Sequence, residues 1–273
     1  MIIQLGHGTP FGIHYWMGWW ECAKRARLNT EHRAELIQLG MGGNEWMQVG
    51  TIVHGLLGQH YRSGLFNLDN IVYAEKLDPK YRQKAEEVYR AYRLRFAPDE
   101  LGEVVNVEAV YGLAPAERKS VGVAVGAYPL PYTFGPDLEV YIDKKRAAAL
   151  RESRNIIVKP GLWLVDHKSV GWVKSEERYV QGLQTTGYCV GHHGLFKRKP
   201  MGMLTNLIPR DGKDYRMLVT PFPDRVKIQR LHHFFAMIKE KMEKLGKAWT
   251  NPAACVDGRD PCTWWERGIC YGV

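Results

Sequence analysis

The chain has 273 residues, which suits one large domain or one domain with an appended subdomain. Its composition is 45% hydrophobic and 25% charged, no apolar run approaches the ~20 residues that cross a bilayer, and the N-terminus lacks a signal-peptide pattern. These features argue against a membrane or secreted protein and predict a cytoplasmic one. The net charge is +9, and residues 197–247 hold thirteen Lys or Arg against five Asp or Glu. Such a basic region favours a polyanionic partner or a solvated helix face.

The first hundred residues are predicted to be a helical part. Apolar periodicity and start signals predict helices over residues 14–28, 45–61 and 79–96. Asp78 at the N-cap and Pro79 at the first helical position favour the start of the third helix.

A sheet is predicted to follow the helical part. Residues 104–110, 138–142 and 162–165 have the β-branched or alternating pattern of strands in one sheet. Residues 144–160 between the last two are polar and basic, and we interpret them as an elaborated turn.

The remaining elements alternate between helix and strand. We predict a helix from Ser175 to Phe196, a hairpin of residues 203–208 and 215–220, and a long helix over residues 224–248. The expected fold is α/β, with a mixed central sheet in a helical frame. We expect one domain with a helical part over 1–100, a core over 101–222 and a C-terminal helix with a cysteine-rich tail over 223–273.

A carboxylate and a lysine stand two residues apart at the predicted end of the third strand, as Asp166 and Lys168. Alternation puts both on one face, where the carboxylate can hold a divalent cation and the ammonium can stabilise charge on a phosphate. Taken alone, the pair is more often an ordinary feature of a protein surface. Asp137 precedes the neighbouring strand and could converge with Asp166 on one metal ion; Asp143, at the far end of that strand, is the alternative.

These residues resemble the motif of the PD-(D/E)XK nuclease superfamily, with Pro136 and Asp137 as the first part and Asp166 and Lys168 as the second. Three further features are similar to its RecB-like branch and occur in the same chain order: a helical G-x-x-x-H that ends at His54, a glutamate on an early strand at Glu108, and a helical Q-x-x-x-Y from Gln184 to Tyr188.

The resemblance implies a restriction-endonuclease-like core and hydrolysis of DNA phosphodiester bonds with Mg²⁺ or Mn²⁺, by an exonuclease or an endonuclease. It implies metal binding by His54, Asp137 and Asp166 with the carbonyl of His167. It further implies that Glu108 binds a second metal or its water, that Lys168 positions the nucleophile, and that Gln184 and Tyr188 contact phosphate or brace the lysine.

Three of the five cysteines crowd the C-terminal tail, and a fourth precedes the predicted core. Clustered cysteines in a cytosolic chain favour a metal site, and four thiolates can hold zinc or an iron–sulfur cluster. The arrangement resembles iron–sulfur members of the RecB-like branch, including AddB-type helicase–nucleases and CRISPR adaptation nucleases. It implies a [4Fe–4S] cluster, with zinc as the alternative, on Cys22, Cys255, Cys262 and Cys270. Cys189 is interpreted as a buried packing residue.

Two alternatives stand beside an independent nuclease. The chain could be a catalytically silent DNA-binding subunit of a recombination, repair or CRISPR-adaptation complex, or a nuclease that acts in a complex with an integrase. The expected partners are single-stranded DNA or duplex ends, with a recombinase, a single-strand-binding protein or an integrase as protein partners.

Overall fold

A computed structural model describes residues 13–21, 45–64, 79–113, 128, 130–171, 180 and 182–245. Across these residues the protein is α/β, with a mixed five-stranded sheet flanked by helices. In the part of the chain so described, no helix is both long and apolar enough to cross a membrane.

Within the described residues, three helices precede the sheet: α1 (Ile13–Glu21), α2 (Glu45–Ser63) and α3 (Pro79–Arg95). The helices predicted over residues 45–61 and 79–96 are therefore confirmed. The first predicted helix is confirmed as far as Glu21, and residues 22–28 lie outside the described residues. Helix α2 buries apolar side chains at helical spacing, including Ile52 and Leu56, and packs them against α3.

The part of the chain that the structure describes then has seven strands: β1 (Glu103–Val107), β2 (Tyr111–Leu113), β3 (Tyr132–Phe134), β4 (Leu138–Ile142), β5 (Gly161–Val170), β6 (Gly202–Pro209) and β7 (Arg216–Pro221). The main sheet has the order β1-β4-β5-β6-β7, in which only β5 and β6 are parallel. Strands β2 and β3 form a separate two-stranded sheet that the sequence did not predict. They have only three residues each, too few for an alternating pattern to be recognised.

The prediction of a turn over residues 144–160, between β4 and β5, is wrong. This connection contains the helix α4 (Lys144–Arg154). Asp143 caps this helix: its Oδ1 accepts a hydrogen bond of 2.6 Å from the backbone N–H of Arg146. Only Leu150 is buried on α4, so the apolar periodicity that signals a helix is weak there.

A helix also connects β5 to β6, as the parallel pairing of these strands requires. This helix, α5 (Leu183–Phe196), begins after Gly182, whose backbone is extended. The prediction of a continuous helix from Ser175 to Phe196 is therefore wrong. Ser175 itself lies outside the described residues. The hairpin of β6 and β7 is confirmed. The final predicted helix is confirmed as far as Leu245, as α6 (Arg225–Leu245), and residues 246–248 lie outside the described residues.

The two faces of the sheet bury separate apolar cores. Trp163 and Val165 of β5 pack with α2 and α3, whereas Leu164 packs with α1, α5 and α6. Because side chains alternate along a strand, Asp166 and Lys168 continue the face of Leu164, toward α1 and α5.

Candidate active site

Two carboxylates meet across the pairing of β4 with β5. Leu138 pairs with Val165, so the next positions outward, Asp137 and Asp166, oppose each other on one face of the sheet. The Asp-x-Lys motif lies inside β5 rather than at its end, since β5 continues to Val170 along β6. The strand predicted to end at Val165 was therefore too short.

Asp137 is held by two basic or polar groups. Its Oδ2 accepts a hydrogen bond of 2.5 Å from the backbone N–H of His167, and its Oδ1 lies 3.3 Å from Nδ1 of His54. Burial opposes ionisation of Asp137, but His54 and the N–H of His167 outweigh it and bring the pKa well below the usual range. Burial likewise opposes protonation of His54, yet the charge of Asp137 raises the pKa of that imidazole.

Asp166 forms an ion pair with Lys168. The ammonium Nζ lies 3.0 Å from Oδ1 and 2.9 Å from Oδ2, and the carboxylate is nearly inaccessible, with a relative exposure of 4%. Burial and the negative charge of Asp137 raise the pKa of Asp166, although Lys168 opposes them. Burial disfavours the ammonium, but Asp166 outweighs it and raises the pKa of Lys168, which keeps this side chain protonated.

The ring of His167 lies on the opposite face of β5. It stacks on Tyr61, with ring centroids 5.7 Å apart, and its Nδ1 lies 3.3 Å from Nδ2 of Asn206. Burial lowers the pKa of His167 to about 4, so the ring is neutral at physiological pH. The backbone N–H faces Asp137, and the carbonyl of the same strand residue points to the same edge. Only the backbone of His167 is therefore available to the carboxylate site.

Helix α5 places a polar pair on the face that carries Asp166. Gln184 and Tyr188 are one turn apart, and Nε2 of Gln184 donates a hydrogen bond of 2.9 Å to the hydroxyl of Tyr188. Burial raises the pKa of Tyr188, as does the charge of Asp166, so the phenol remains neutral. The predicted i, i+4 pair thus lies where it can contact a ligand of the two carboxylates.

Glu108 follows β1, which ends at Val107, so it does not lie on the strand predicted for residues 104–110. It has a left-handed backbone with φ 51°, and its N–H donates to the carbonyl of Asp137 at 2.8 Å. Its carboxylate forms an ion pair of 2.9 Å with Arg62 and packs on Gly58, where an added Cβ would lie 2.8 Å from Cδ. Glu108 is thus beside the site, but its carboxylate is turned to Arg62.

Sequence reasoning missed His14 of α1. Gln184 and the charges of Lys168 and Asp166 influence the pKa of its ring. Removal from water on one side lowers the pKa of His14, as does Lys168. No pattern in the sequence marks a lone histidine in a tryptophan-rich helix, and only the packing of α1 on α5 brings it here.

The alternative acid, Asp143, lies at the opposite end of β4 from Asp137, where it caps α4. Five strand residues lie between the two acids, so their Cα atoms are about 20 Å apart at the usual rise per residue. Asp143 is therefore remote from Asp166 and has a local structural role.

The donor set of the site fits Mg²⁺ or Mn²⁺ chemically. Carboxylate and carbonyl oxygens suit hard divalent cations, an imidazole is compatible with Mn²⁺, and a cation would relieve the repulsion that raises the pKa of Asp166. Within the described ranges, no three His, Cys, Asp or Glu side chains are already arranged as a metal site. In this arrangement each carboxylate contacts a basic partner, so metal binding requires Asp166 to exchange its contact with Lys168.

The four cysteines predicted to hold a cluster, Cys22, Cys255, Cys262 and Cys270, lie outside the described residues. Cys189 is fully buried in α5, and burial raises the pKa of its thiol to about 12. This burial agrees with the interpretation of Cys189 as a packing residue.

Comparison of the chain with protein-family models found no match, and comparison with curated proteins found none either.

Proposed function

We propose that this protein is a metal-dependent DNA nuclease with a core of the restriction-endonuclease type. The observation that carries the proposal is the pairing of β4 with β5, which sets Asp137 and Asp166 side by side with Lys168 on the same face. Two carboxylates and a protonated lysine at one point of a sheet suit the cleavage of a phosphodiester, whose transition state gains negative charge.

His54, Asp137, Asp166 and the carbonyl of His167 would hold Mg²⁺ or Mn²⁺. When bound, the cation supplies Lewis-acid stabilisation of the phosphate and lowers the pKa of a coordinated water. The short hydrogen bond from His167 N–H fixes Asp137 through Oδ2, and Oδ1 lies beside Nδ1 of His54.

Lys168 is protonated and partly buried beside Asp166. With Asp166 as a ligand of the cation, the ammonium of Lys168 would be available to position the attacking water or to stabilise the charge of the phosphate. Gln184 and Tyr188 face the same space and donate hydrogen bonds to phosphate oxygens. Glu108 orients a second water or cation after it exchanges its contact with Arg62.

The basic C-terminal part of the chain would bind the DNA backbone. Helix α6 exposes Arg225 and Arg230 near its start and Lys244 near its end. Phosphate contacts of this kind release counterions and give sequence-independent affinity.

A structural [4Fe–4S] cluster on Cys22, Cys255, Cys262 and Cys270 completes the proposal, with zinc as the alternative. Four thiolates are a suitable donor set for either group. The cluster would join the two ends of the chain and take no part in hydrolysis.

The decisive experiment is digestion of end-labelled and circular DNA, single-stranded and duplex, with Mg²⁺, Mn²⁺ or EDTA. We expect metal-dependent cleavage that EDTA abolishes. Cleavage of circles identifies an endonuclease, and cleavage of the end-labelled linear substrates alone identifies an exonuclease. Tight DNA binding without cleavage under any metal condition supports the silent DNA-binding subunit instead.

A further inference from the structure

Helix α2 presents one row of residues to the candidate active site. His54, Gly58 and Arg62 are spaced four residues apart, which puts them on the same side of the helix. At one end of the row, Nδ1 of His54 lies 3.3 Å from Oδ1 of Asp137. At the other end, Nη2 of Arg62 lies 2.9 Å from Oε2 of Glu108. Eight residues of helix rise about 12 Å, so Arg62 lies two turns of α2 from the candidate metal site.

The local backbone holds the carboxylate of Glu108 against α2. A Cβ atom at Gly58 would lie 2.8 Å from Cδ of Glu108, so a larger residue there would displace the carboxylate. Glu108 has a φ of 51°, a left-handed conformation that residues other than glycine seldom adopt, and its N–H donates to the carbonyl of Asp137 at 2.8 Å. Backbone strain of this kind is concentrated at functional sites. The fold therefore sets Glu108 between Asp137 and the guanidinium of Arg62.

The side chain of Arg62 is able to take a second partner. It is 54% exposed, and its contacts with Glu108 and with the carbonyl of Val107, at 3.5 Å, are both made through Nη2. A guanidinium carries five N–H donors, is permanently cationic and matches the geometry of phosphate oxygens. An exposed pair of arginine and carboxylate contributes little to stability, so exchange of the carboxylate for a phosphate costs little.

We propose that Arg62 binds a backbone phosphate of DNA close to the one that is cleaved, a proposal that rests on the proposed nuclease function. In the absence of DNA, Glu108 accepts the hydrogen bond of Arg62; in the complex, a phosphate takes its place. One strand of DNA rises about 3.4 Å per nucleotide, so a helix rise of about 12 Å corresponds to a phosphate within roughly three nucleotides of the scissile one. The exchange leaves Glu108 free for the role proposed for it beside Asp137.

Loss of one phosphate contact has two measurable consequences. A hydrogen bond to a charged group accounts for roughly a 10-fold change in affinity, so Arg62→Ala should raise the Kd of a fluorescent duplex oligonucleotide about 10-fold, measured in EDTA at one salt concentration. Arg62→Ala should also reduce the slope of log Kd against log salt concentration by about 0.9, because one phosphate fewer is neutralised. Arg62→Lys keeps the charge without the planar fork, so it should restore the slope and part of the affinity.

A second variant tests the exchange of partners. Glu108→Gln removes the carboxylate that competes with phosphate for Arg62, so it should lower the Kd about threefold, which is the size of an exposed ion pair. In the Arg62→Ala background, Glu108→Gln should change the Kd less, because the competition depends on the guanidinium.

Arg90→Ala is the matched control. Nη2 of Arg90 lies 3.1 Å from Oε2 of Glu86, in an exposed pair one turn apart on α3. The substitution removes the same charge from the same kind of pair, and it should leave the Kd and the salt slope near the wild-type values. Because both arginines are exposed, Arg62→Ala and Arg90→Ala should both keep the thermal midpoint of the wild type.

Equal Kd values and slopes for Arg62→Ala and Arg90→Ala overturn the proposal. A higher Kd with the wild-type slope also overturns it, since an indirect effect on the fold weakens binding without removing a charge contact. A wild-type protein that binds DNA but never cleaves it in Mg²⁺ or Mn²⁺ contradicts the proposed nuclease, while the Kd and slope of Arg62→Ala still decide the role of Arg62. A wild-type protein that does not bind DNA contradicts both.

Discussion

At the scale of single residues, the site consists of acid–base pairs that a substrate and a cation would rearrange. Asp166 contacts Lys168 and Asp137 contacts His54, so each carboxylate has a basic partner in the described structure. Strand alternation and pairing predicted Asp137, Asp166 and Lys168, because they fix which face each side chain occupies, whereas His54 was predicted from the resemblance to the RecB-like motif. It could not predict His14 or the environment of the His167 ring, since both depend on contacts between elements far apart in the chain.

The first prediction concerns the Asp166–Lys168 pair. Lys168→Ala and Asp166→Ala should each lower DNA cleavage by at least about 100-fold, because one removes charge stabilisation and the other a metal ligand. Cleavage of end-labelled DNA and binding in EDTA are measured side by side, and binding should largely persist. Lys144→Ala, an exposed lysine on α4, is the control. Near-normal cleavage by either site variant would remove the pair from the active site.

The second prediction compares the acids at the two ends of β4. Asp137→Asn should abolish metal-dependent cleavage, whereas Asp143→Asn should leave it near the wild-type rate, because asparagine caps a helix about as well as aspartate. Asp143→Ala should cost about 1 kcal/mol in the free energy of unfolding without a change in cleavage. Cleavage rates measure the effect of each substitution on activity, and urea unfolding curves measure its effect on stability. Greater sensitivity of cleavage to Asp143 would place the metal at the other end of the strand.

At the scale of elements, the long helices and the hairpin were predictable because their apolar periodicity is strong. Helix α4 was not, since a polar surface helix is marked mainly by its cap. The true length of β5 was also hidden, because Asp166 and Lys168 interrupt its apolar pattern although they are paired with β6. A helix between β4 and β5 explains how Asp137 and Asp166 become strand neighbours despite their long separation in the chain.

A buried carboxylate connects β4 to three other elements. Glu139 is 3% exposed and accepts hydrogen bonds of 2.6 Å from the hydroxyl of Tyr111 and 2.9 Å from Nδ2 of Asn106. Nε2 of His192, on α5, lies 3.8 Å from the same carboxylate. Burial opposes ionisation of Glu139, but these three partners outweigh it and lower its pKa.

The third prediction is that Glu139 makes stability depend on acidity. Because its pKa is lower in the folded state, its contribution is fully present above the unfolded value of about 4.3 and is lost as the pH falls through the folded value. Glu139→Gln should lower the free energy of unfolding at pH 7 by about 1–3 kcal/mol and flatten its decline in acid. Urea unfolding from pH 7 to pH 3 measures both effects. Glu152→Gln, at an exposed site on α4, is the control, and equal pH profiles for Glu139→Gln and the wild type would contradict the idea.

At the scale of the whole molecule, the sheet separates two cores, and the candidate site lies where both approach the end of β4. Helix α2 brings His54 from one side, while α1 and α5 bring His14 and Gln184 from the other. The sequence predicted the α/β class and the order of most elements. It could not predict which helices cover which face, because that depends on the strand order and the parallel pairing of β5 with β6.

The final prediction concerns the proposed cluster. Cys22 and Cys255 are more than 230 residues apart, so a shared metal would close most of the chain into one loop and remove about 5 kcal/mol of chain entropy from the unfolded state. Protein purified without oxygen should be brown and contain iron and sulfide. Substitution of any one of the four proposed ligands should bleach the protein and lower its melting temperature, as in Cys22→Ser, Cys255→Ser, Cys262→Ser and Cys270→Ser. Activity should fall only as the fold is lost.

The control is Cys189→Ser, which should keep the colour. Because Cys189 is fully buried, this control is judged by metal content and not by the melting temperature. A colourless protein with one equivalent of zinc would replace iron by zinc on the same ligands, and a metal-free protein indifferent to all four substitutions would show that these cysteines bind nothing.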